Sequence, residues 1–560
     1  MIDTPLLEIS SRASRREEMF PELSDTHIGR LIGLGLVRQV ERGEVLAEAG
    51  DKKVRVFVVT AGQLEIVQPQ GTTTQIVAVL GPRMFSGEVN LLSGRRLLTR
   101  IRMSEAGEVI ELDREQLLTL VQNDGELSDI FMRAFILRRI EMIKQGLGDV
   151  VLIGSRNCSD TLRIREFLTR NNHPYSSIDL DEDSAVQKLF DHFGVSEDDV
   201  PVVICRDAVA LRNPTNQQVA ECLGFNDSIE QTHVRDLIIV GAGPAGLAAS
   251  VYGASEGLDV LMLDADSPGG QAGSSSKIEN YLGFPMGVSG QELSARAYTQ
   301  AQKFGAQLLI AQGATRLDCH GKPYGITLEN GVRLRAKSVI IATGAQYRRL
   351  RVENMSRFQG SGVYYGATFM ESQLCLDEEV VIVGGGNSAG QAAVFLSQSS
   401  KRVHIFIRAE GLAETMSRYL IRRIEQSPNI VLTPHTEIVE LDGGSHLETV
   451  SWRNNRTDEV EIQPIRHVFV MAGAVPNTSW LEGCLVRDEN GFIKTGSDLS
   501  EEDLMNSRWP FTRHPYLLET SLPGIFAVGD VRAGSTKRVA AAVGEGTVAV
   551  AFVHQVLHGS

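Results

Sequence analysis

Residues 236–266 read DLIIVGAGPAGLAASVYGASEGLDVLMLDAD, and the fold of the larger part of the chain follows from them. Leu237 to Val240 form an apolar run that reads as a buried strand, and the Ala-rich sequence after Pro244 reads as a helix. Between them lies Gly241-Ala242-Gly243-Pro244-Ala245-Gly246, a G-x-G-x-x-G turn. The first glycine makes the turn, the second lets backbone approach a pyrophosphate, and the third packs helix on strand. Asp264 ends the next apolar strand about twenty residues on, where an acid takes a ribose hydroxyl. In this setting the glycines mark a dinucleotide site.

Residues 378–408, EEVVIVGGGNSAGQAAVFLSQSSKRVHIFIR, repeat the arrangement with Gly384, Gly386 and Ala389, and with Asn387 and Ser388 opening the helix. Here the second strand ends in Arg408 instead of an acid. An acid would hold the 2′-hydroxyl of NAD, whereas a guanidinium suits a 2′-phosphate, so NADPH is favoured and NADH stays open. Two further apolar strands end in tight turns: SVIIATGA (338–345), with Thr343 and Gly344, and GIFAVGDVR (524–532), with Gly529 and Asp530. Asp530, at a strand end, is placed to bind the ribitol hydroxyls of a flavin. Two fingerprints imply two nested Rossmann-type domains.

Upstream the pattern changes twice. Residues 1–147 begin with helical patterning from Leu23 to Leu36 and continue as short alternating strands between glycine turns. One long helical stretch, REQLLTLVQNDGELSDIFMRAFILRRIEMIK (114–144), closes them, which predicts a β-roll with helices. Residues 148–232 read as strand, helix, strand (SSIDLD), helix (SAVQKLFDHFG), strand (VPVVICRD) and helix, a small α/β domain. The fold class expected is a multidomain α/β protein.

The chain has 560 residues, 42% hydrophobic and 22% charged, which fits several packed globular domains. A net charge of −15 argues against nucleic acid or an anionic membrane as partner, despite the local cluster Arg95, Arg96, Arg100 and Arg102. Six cysteines, at 158, 205, 222, 319, 375 and 484, show no framework spacing. Reduced thiols, no metal site and a cytoplasmic protein are the expectations. The N-terminal residues have no apolar signal core, and no run of about 18 apolar residues stands out.

With both fingerprints in place, residues 234–560 resemble the thioredoxin reductase family of flavoproteins, class II of the pyridine nucleotide-disulphide oxidoreductases. The resemblance is carried by GAGPAG, PGGQAGSSSKIENYLGFP (268–285), ATGA, GGGNSA, GAVPNT (473–478) and GDVRAGSTKRVAAAVGEG (529–546). It implies that Gly269, Gly270 and Gln271 lie along FAD, that Asn280 sits near the flavin, and that Lys537, Arg538 and Val539 border the isoalloxazine and pyrophosphate. It also implies an FAD-binding domain in two pieces, 233–346 and 470–560, around an inserted NAD(P)-binding domain, 347–469. Members of the family are usually homodimers.

The departures from the family are as telling as the matches. Where it carries the dithiol C-A-T-C, this chain has Gly366, Ala367, Thr368 and Phe369. Disulfide exchange needs an attacking thiolate and a resolving thiol, and neither remains there. Of the family's cluster around the 2′-phosphate, Arg408 is kept while Ile407, Ala409 and Ala413 replace other cations. Arg418 is a candidate substitute. Residues 148–232 resemble a glutaredoxin or thioredoxin domain. Cys158 in GSRNCSDT stands at a helix start, where a thiol pKa falls, Thr161 replaces the second thiol, and Val200-Pro201 occupies the cis-proline place. Residues 1–147 resemble the cyclic nucleotide-binding β-roll. FSGEVNLLSGRRLLTRIR (85–102) lies at the phosphate-binding cassette, with Gly87 beside Glu88, a candidate for a ribose 2′-hydroxyl. The family's arginine falls at Leu97 or Leu98 instead.

The function expected is an NADPH-dependent FAD oxidoreductase of thioredoxin-reductase type. Its electrons would leave without a dithiol, to ferredoxin or flavodoxin, a quinone, or the middle domain of the same chain. Two alternatives stand beside it: a flavin- or nucleotide-responsive redox sensor with little turnover, and a true thioredoxin reductase using Cys158 or Cys375.

Overall fold

The computed structural model describes residues 12–559 except 54, 71–72, 147, 156–157, 181–195, 197–198, 206–208, 227–228, 276, 349, 351, 360, 368 and 445. The helix expected at 184–194 lies outside the described residues.

The N-terminal unit is an antiparallel sheet. Strand Arg100–Leu112 lies between Leu36–Val40 and Val56–Gln70, with Thr73–Leu80 on the far side of the latter. Its core is closed by Phe131 and Phe135 of helix Gly125–Lys144, and Phe131 stacks on Phe85 at 4.1 Å. The long helical stretch read from sequence is two helices, Arg114–Asn123 and Gly125–Lys144. Asp124 breaks it because its carboxylate accepts from Leu127 N–H and caps the second helix, which requires extended backbone at that residue.

The second unit is a four-stranded sheet in the order Ser176–Asp179, Val150–Gly154, Val202–Cys205, Val209–Arg212. The first pair is parallel and the others are antiparallel. Val209–Arg212 is a strand that the sequence pattern missed, since it follows its partner after only a few residues. The Val200-Pro201 peptide is cis.

The rest is built on two sheets with parallel central strands. The first also carries the antiparallel strands Ala314–Asp318 and Tyr324–Leu328, and a small antiparallel sheet, Thr436–Asp442, Thr449–Asn454 and Val460–Gln463, accompanies the second. Val234–Val240 lies between Val260–Leu263 and Arg333–Ile341, with Gln307–Leu309 and Ile525–Ala527 extending the parallel set. The second sheet runs Val363–Tyr364, His467–Val470, Glu379–Val383, Arg402–Phe406, Ile430–Thr433. Helices begin at the C-terminal strand ends of both, which aims two helix N-termini at the space between the sheets. The chain passes from one sheet to the other through Ala345–Tyr347 and returns through Ala474–Pro476, and these two segments pair antiparallel.

One expectation is overturned: Cys319 and Cys484 form a disulfide, with Cα atoms 5.8 Å apart. The two cysteines stand 165 residues apart in sequence, so no local spacing announces them. A second expectation needs qualifying. Among the described residues one helix, Val539–Leu557, is long and apolar enough to cross a membrane by length and composition. Its Ala542, Gly546, Ala549, Val550 and Val553 are instead buried, and Gly546 lies so close to Ala245 of helix Pro244–Ser255 that a Cβ would meet its carbonyl oxygen at 2.2 Å.

Candidate dinucleotide site

The first turn is built by its glycines. Gly241 has φ +108°, and a Cβ there would lie 2.3 Å from the Ala342 carbonyl oxygen. Gly243 is the N-cap of helix Pro244–Ser255, and no side chain caps the helix, so its first N–H groups face the cavity. A Cβ on Gly246 would stand 1.8 Å from the Gly241 carbonyl oxygen, which makes this residue a packing element. Asp264 accepts from Ala242 N–H at 2.7 Å and from Asp266 N–H at 2.9 Å. Burial raises its carboxyl pKa, and those two donors pull it back. The open backbone donors and glycine clearances fit a dinucleotide pyrophosphate.

The turn 268–273 lies against this one: Gly269 N–H donates to the Ala242 carbonyl at 2.8 Å. Gln271 Nε2 reaches the Ala345 carbonyl at 2.9 Å, which ties the turn to the crossing strands. Sequence reading missed two partners there. Thr343 Oγ1 donates to the Asn477 carbonyl, and Asn477 Nδ2 donates to the Thr343 carbonyl, at 2.9 and 2.8 Å. Asn477 stood within GAVPNT but had no role assigned. The other omission is Glu545, which accepts from Gly529 N–H at 2.7 Å and pairs with Arg532, so it holds the turn that carries Asp530. Burial raises the Asp530 carboxyl, opposed by Lys537, whose ammonium lies 4.7 Å from the Phe492 ring centre.

The second turn repeats the pattern. Gly384 has φ +142°, and Gly386 is the uncapped N-cap of helix Asn387–Leu396. Asn387 Oδ1 accepts from Ser417 N–H at 2.7 Å, and Thr415 Oγ1 donates to the Gly385 carbonyl at 2.7 Å. These bonds fold the loop after Arg408 back over the turn.

Both turns open on one cavity of about 2640 Å³. Gly241, Gly243, Pro244, Ala245, Asp264, Gly270, Gln271, Asn280, Thr343, Gly344, Gly529, Asp530, Lys537, Arg538 and Val539 line it, as do Gly384, Gly386, Asn387, Ser388 and Arg408. Gly246 lies behind the wall, and Arg418 is not among the lining residues. Gly366 lines the cavity beside Ser274, Ala367 is buried, Thr368 lies outside the described residues, and Phe369 opens helix Phe369–Leu374. Among the described residues no cysteine lines it. Cys375 is buried; its thiol donates to the Glu371 carbonyl at 3.0 Å, and burial pushes its pKa up. Cys158 stands at the N-cap of helix Ser159–Arg170, half-buried.

The cassette of the N-terminal sheet is arranged otherwise. Glu88 is buried with its carboxylate 3.3 Å from Arg139 Nη1, and the Gly87 carbonyl accepts from Arg138 at 2.8 Å. Burial raises the Glu88 carboxyl, with Arg139 opposing. Arg95 turns away from the cassette: it donates to the Asn171 carbonyl at 3.0 Å and stacks over Phe225 at 4.2 Å.

Comparison with known proteins places this geometry. The cyclic nucleotide-binding domain family matches residues 37–124, and the pyridine nucleotide-disulphide oxidoreductase family matches residues 235–546. Thioredoxin reductase of Streptomyces coelicolor is 32% identical over 314 residues, 56% of this chain and 91% of that protein. The Bacillus subtilis thioredoxin reductase is 32% identical over 327 residues, 58% and 95% of the two chains. The crystal structure of Lactococcus lactis thioredoxin reductase in its FR conformation, 28% identical, covers 58% of this chain and all of that one, with a TM-score of 0.52. Thioredoxin reductases of this family use FAD and NADPH. The oxidoreductase match spans more than half of the chain, which therefore belongs to the pyridine nucleotide-disulphide oxidoreductases and is an FAD-dependent NAD(P)H oxidoreductase.

Proposed function

We propose that the protein oxidises NADPH and delivers the electrons to an acceptor other than thioredoxin. The observation that carries this reading is the absence of any cysteine among the described residues lining the cavity, with Gly366 where the family keeps a thiol. Bound FAD would supply the two-electron chemistry, taking a hydride equivalent from the nicotinamide and passing electrons on. The chain's part is binding and orientation. The uncapped helix starts at Gly243 and Gly386 would offer N–H groups to the two pyrophosphates, and Asp264, Asp530 and Lys537, which line the cavity, would hold the flavin nucleotide. Arg408, which lines the cavity, would meet a 2′-phosphate, which favours NADPH over NADH. A buried thiol with a raised pKa is a poor nucleophile, so Cys375 has no part.

Residues 148–232 are read as a glutaredoxin/thioredoxin-like domain, a reading supported by the strand order and by the parallel first pair of strands. The remaining boundaries stay as 1–147 for the β-roll, 233–346 with 470–560 for the FAD-binding domain and 347–469 for the NAD(P)-binding domain. A homodimer is the expected assembly, and sedimentation would test it. The acceptor is a ferredoxin or flavodoxin, or a quinone. The middle domain is the weaker candidate, since Cys158 itself does not line the cavity.

The test is anaerobic. NADPH should lower the flavin absorbance within seconds, one of those acceptors should restore it over many turnovers, and a dithiol thioredoxin should not. Turnover with thioredoxin would overturn the reading. Absorbance unchanged by either nicotinamide would replace it with a sensor role.

A further inference from the structure

Helix Ser159–Arg170 belongs to the small α/β unit and lies outside the residues matched by the oxidoreductase family. One face of it, Ser159, Arg163, Glu166 and Arg170, nevertheless lines the dinucleotide cavity. We propose that this helix is part of the FAD site, and that Arg170 is the positioning residue for the turn that lies along the nucleotide.

Arg170 is 13% exposed; its Nη1 reaches Glu166 of its own helix at 3.5 Å, and the guanidinium is otherwise directed at that turn and the residues just before it. Nη2 donates to the Gly270 carbonyl at 3.0 Å and to the Ser267 carbonyl at 3.3 Å, and Nη1 donates to Asp266 at 3.4 Å. The two carbonyls bracket Gly269 and Gly270, both in the left-handed region with φ +107° and +52°. A Cβ on Gly270 would stand 2.9 Å from Gly243 Cα, so a shift of this turn moves the wall of the pyrophosphate cradle. A second path runs alongside. Arg163 donates to Asn216 Oδ1 at 2.8 Å, Asn216 donates to Asp266 at 2.6 Å, and Asp266 N–H donates to Asp264 at 2.9 Å. Asp264 in turn accepts from Ala242 N–H inside the fingerprint. The small domain thereby braces both loops that would hold the flavin nucleotide. FAD binding and docking of this helix are linked, and each strengthens the other.

This inference rests on FAD occupying the first turn. It is tested with the full-length holoprotein, R170A and R170K, by the rate of FAD release into FAD-free buffer and by hydrogen exchange of residues 159–170 with and without added FAD. R170A should release FAD about ten times faster than the parent, as expected for losing charge-assisted bonds, with R170K in between. Added FAD should slow exchange in 159–170 in the parent and much less in R170A. A helix that merely staples two domains would lower the melting temperature without changing FAD release. Release from R170A within two-fold of the parent overturns the proposal, and so does failure of R170A to fold together with unchanged release from R170K. Purification of the parent without flavin absorbance, and no uptake of added FAD, would sink the FAD reading itself and is distinguishable from these.

Discussion

At Gly241–Gly246 the N–H groups of a helix start face a cavity, while at Gly87–Glu88 the polar groups of another ligand-type turn are spent on arginines of the chain's own helix Gly125–Lys144. Both turns carry the sequence marks of nucleotide binding, and both contain a glycine with positive φ. The difference lies in what the rest of the fold brings to them. The first turn is walled by further glycines and by carboxylates held on backbone donors. Into the second, Arg138 and Arg139 insert from a helix that also closes the core. A motif thus reports the conformation of a turn, whereas its availability is decided by side chains distant in sequence.

The contrast can be broken at its open end first. G246V should clash with the Gly241 carbonyl and part the helix from the strand, giving protein without flavin absorbance and a melting temperature many degrees lower. Flavin retained at parental stoichiometry would show that the cradle does not depend on this contact. At the filled end, R139A should leave Glu88 buried without its cation and destabilise the N-terminal unit by about 3 kcal/mol in a denaturant titration, with flavin content unchanged. R408A sharpens the comparison at the second glycine turn. KM for NADPH should rise about ten-fold and KM for NADH should stay within two-fold, because only the former carries the phosphate. The smallest effect is expected from cyclic AMP or cyclic GMP. Either at millimolar concentration should leave the melting temperature of the parent in place, and a rise of several degrees would mean that the cassette exchanges its internal arginine for a ligand.

Much of the fold was legible because its punctuation is local. Gly241, Gly384 and the strands before them announce themselves within a few residues. What escaped was tertiary. The Cys319–Cys484 bridge joins positions 165 residues apart. Glu545 acts on Gly529 from a helix whose sequence reads as apolar packing. Arg139, which pairs with Glu88, stands 51 residues further on, and nothing near Glu88 in sequence foretells it. The face of helix Ser159–Arg170 carries no mark that it lines another domain's cavity, since docking leaves no period in a sequence.

The paired strands Ala345–Tyr347 and Ala474–Pro476, knotted by Thr343 and Asn477, have a consequence for how such a chain could arise. An insertion that enters and leaves through neighbouring strands adds little closure entropy to its host, however long it is. The nicotinamide unit is in this sense a module plugged into a socket, and excising it between the two strands would leave the host sheet with every one of its strands in order.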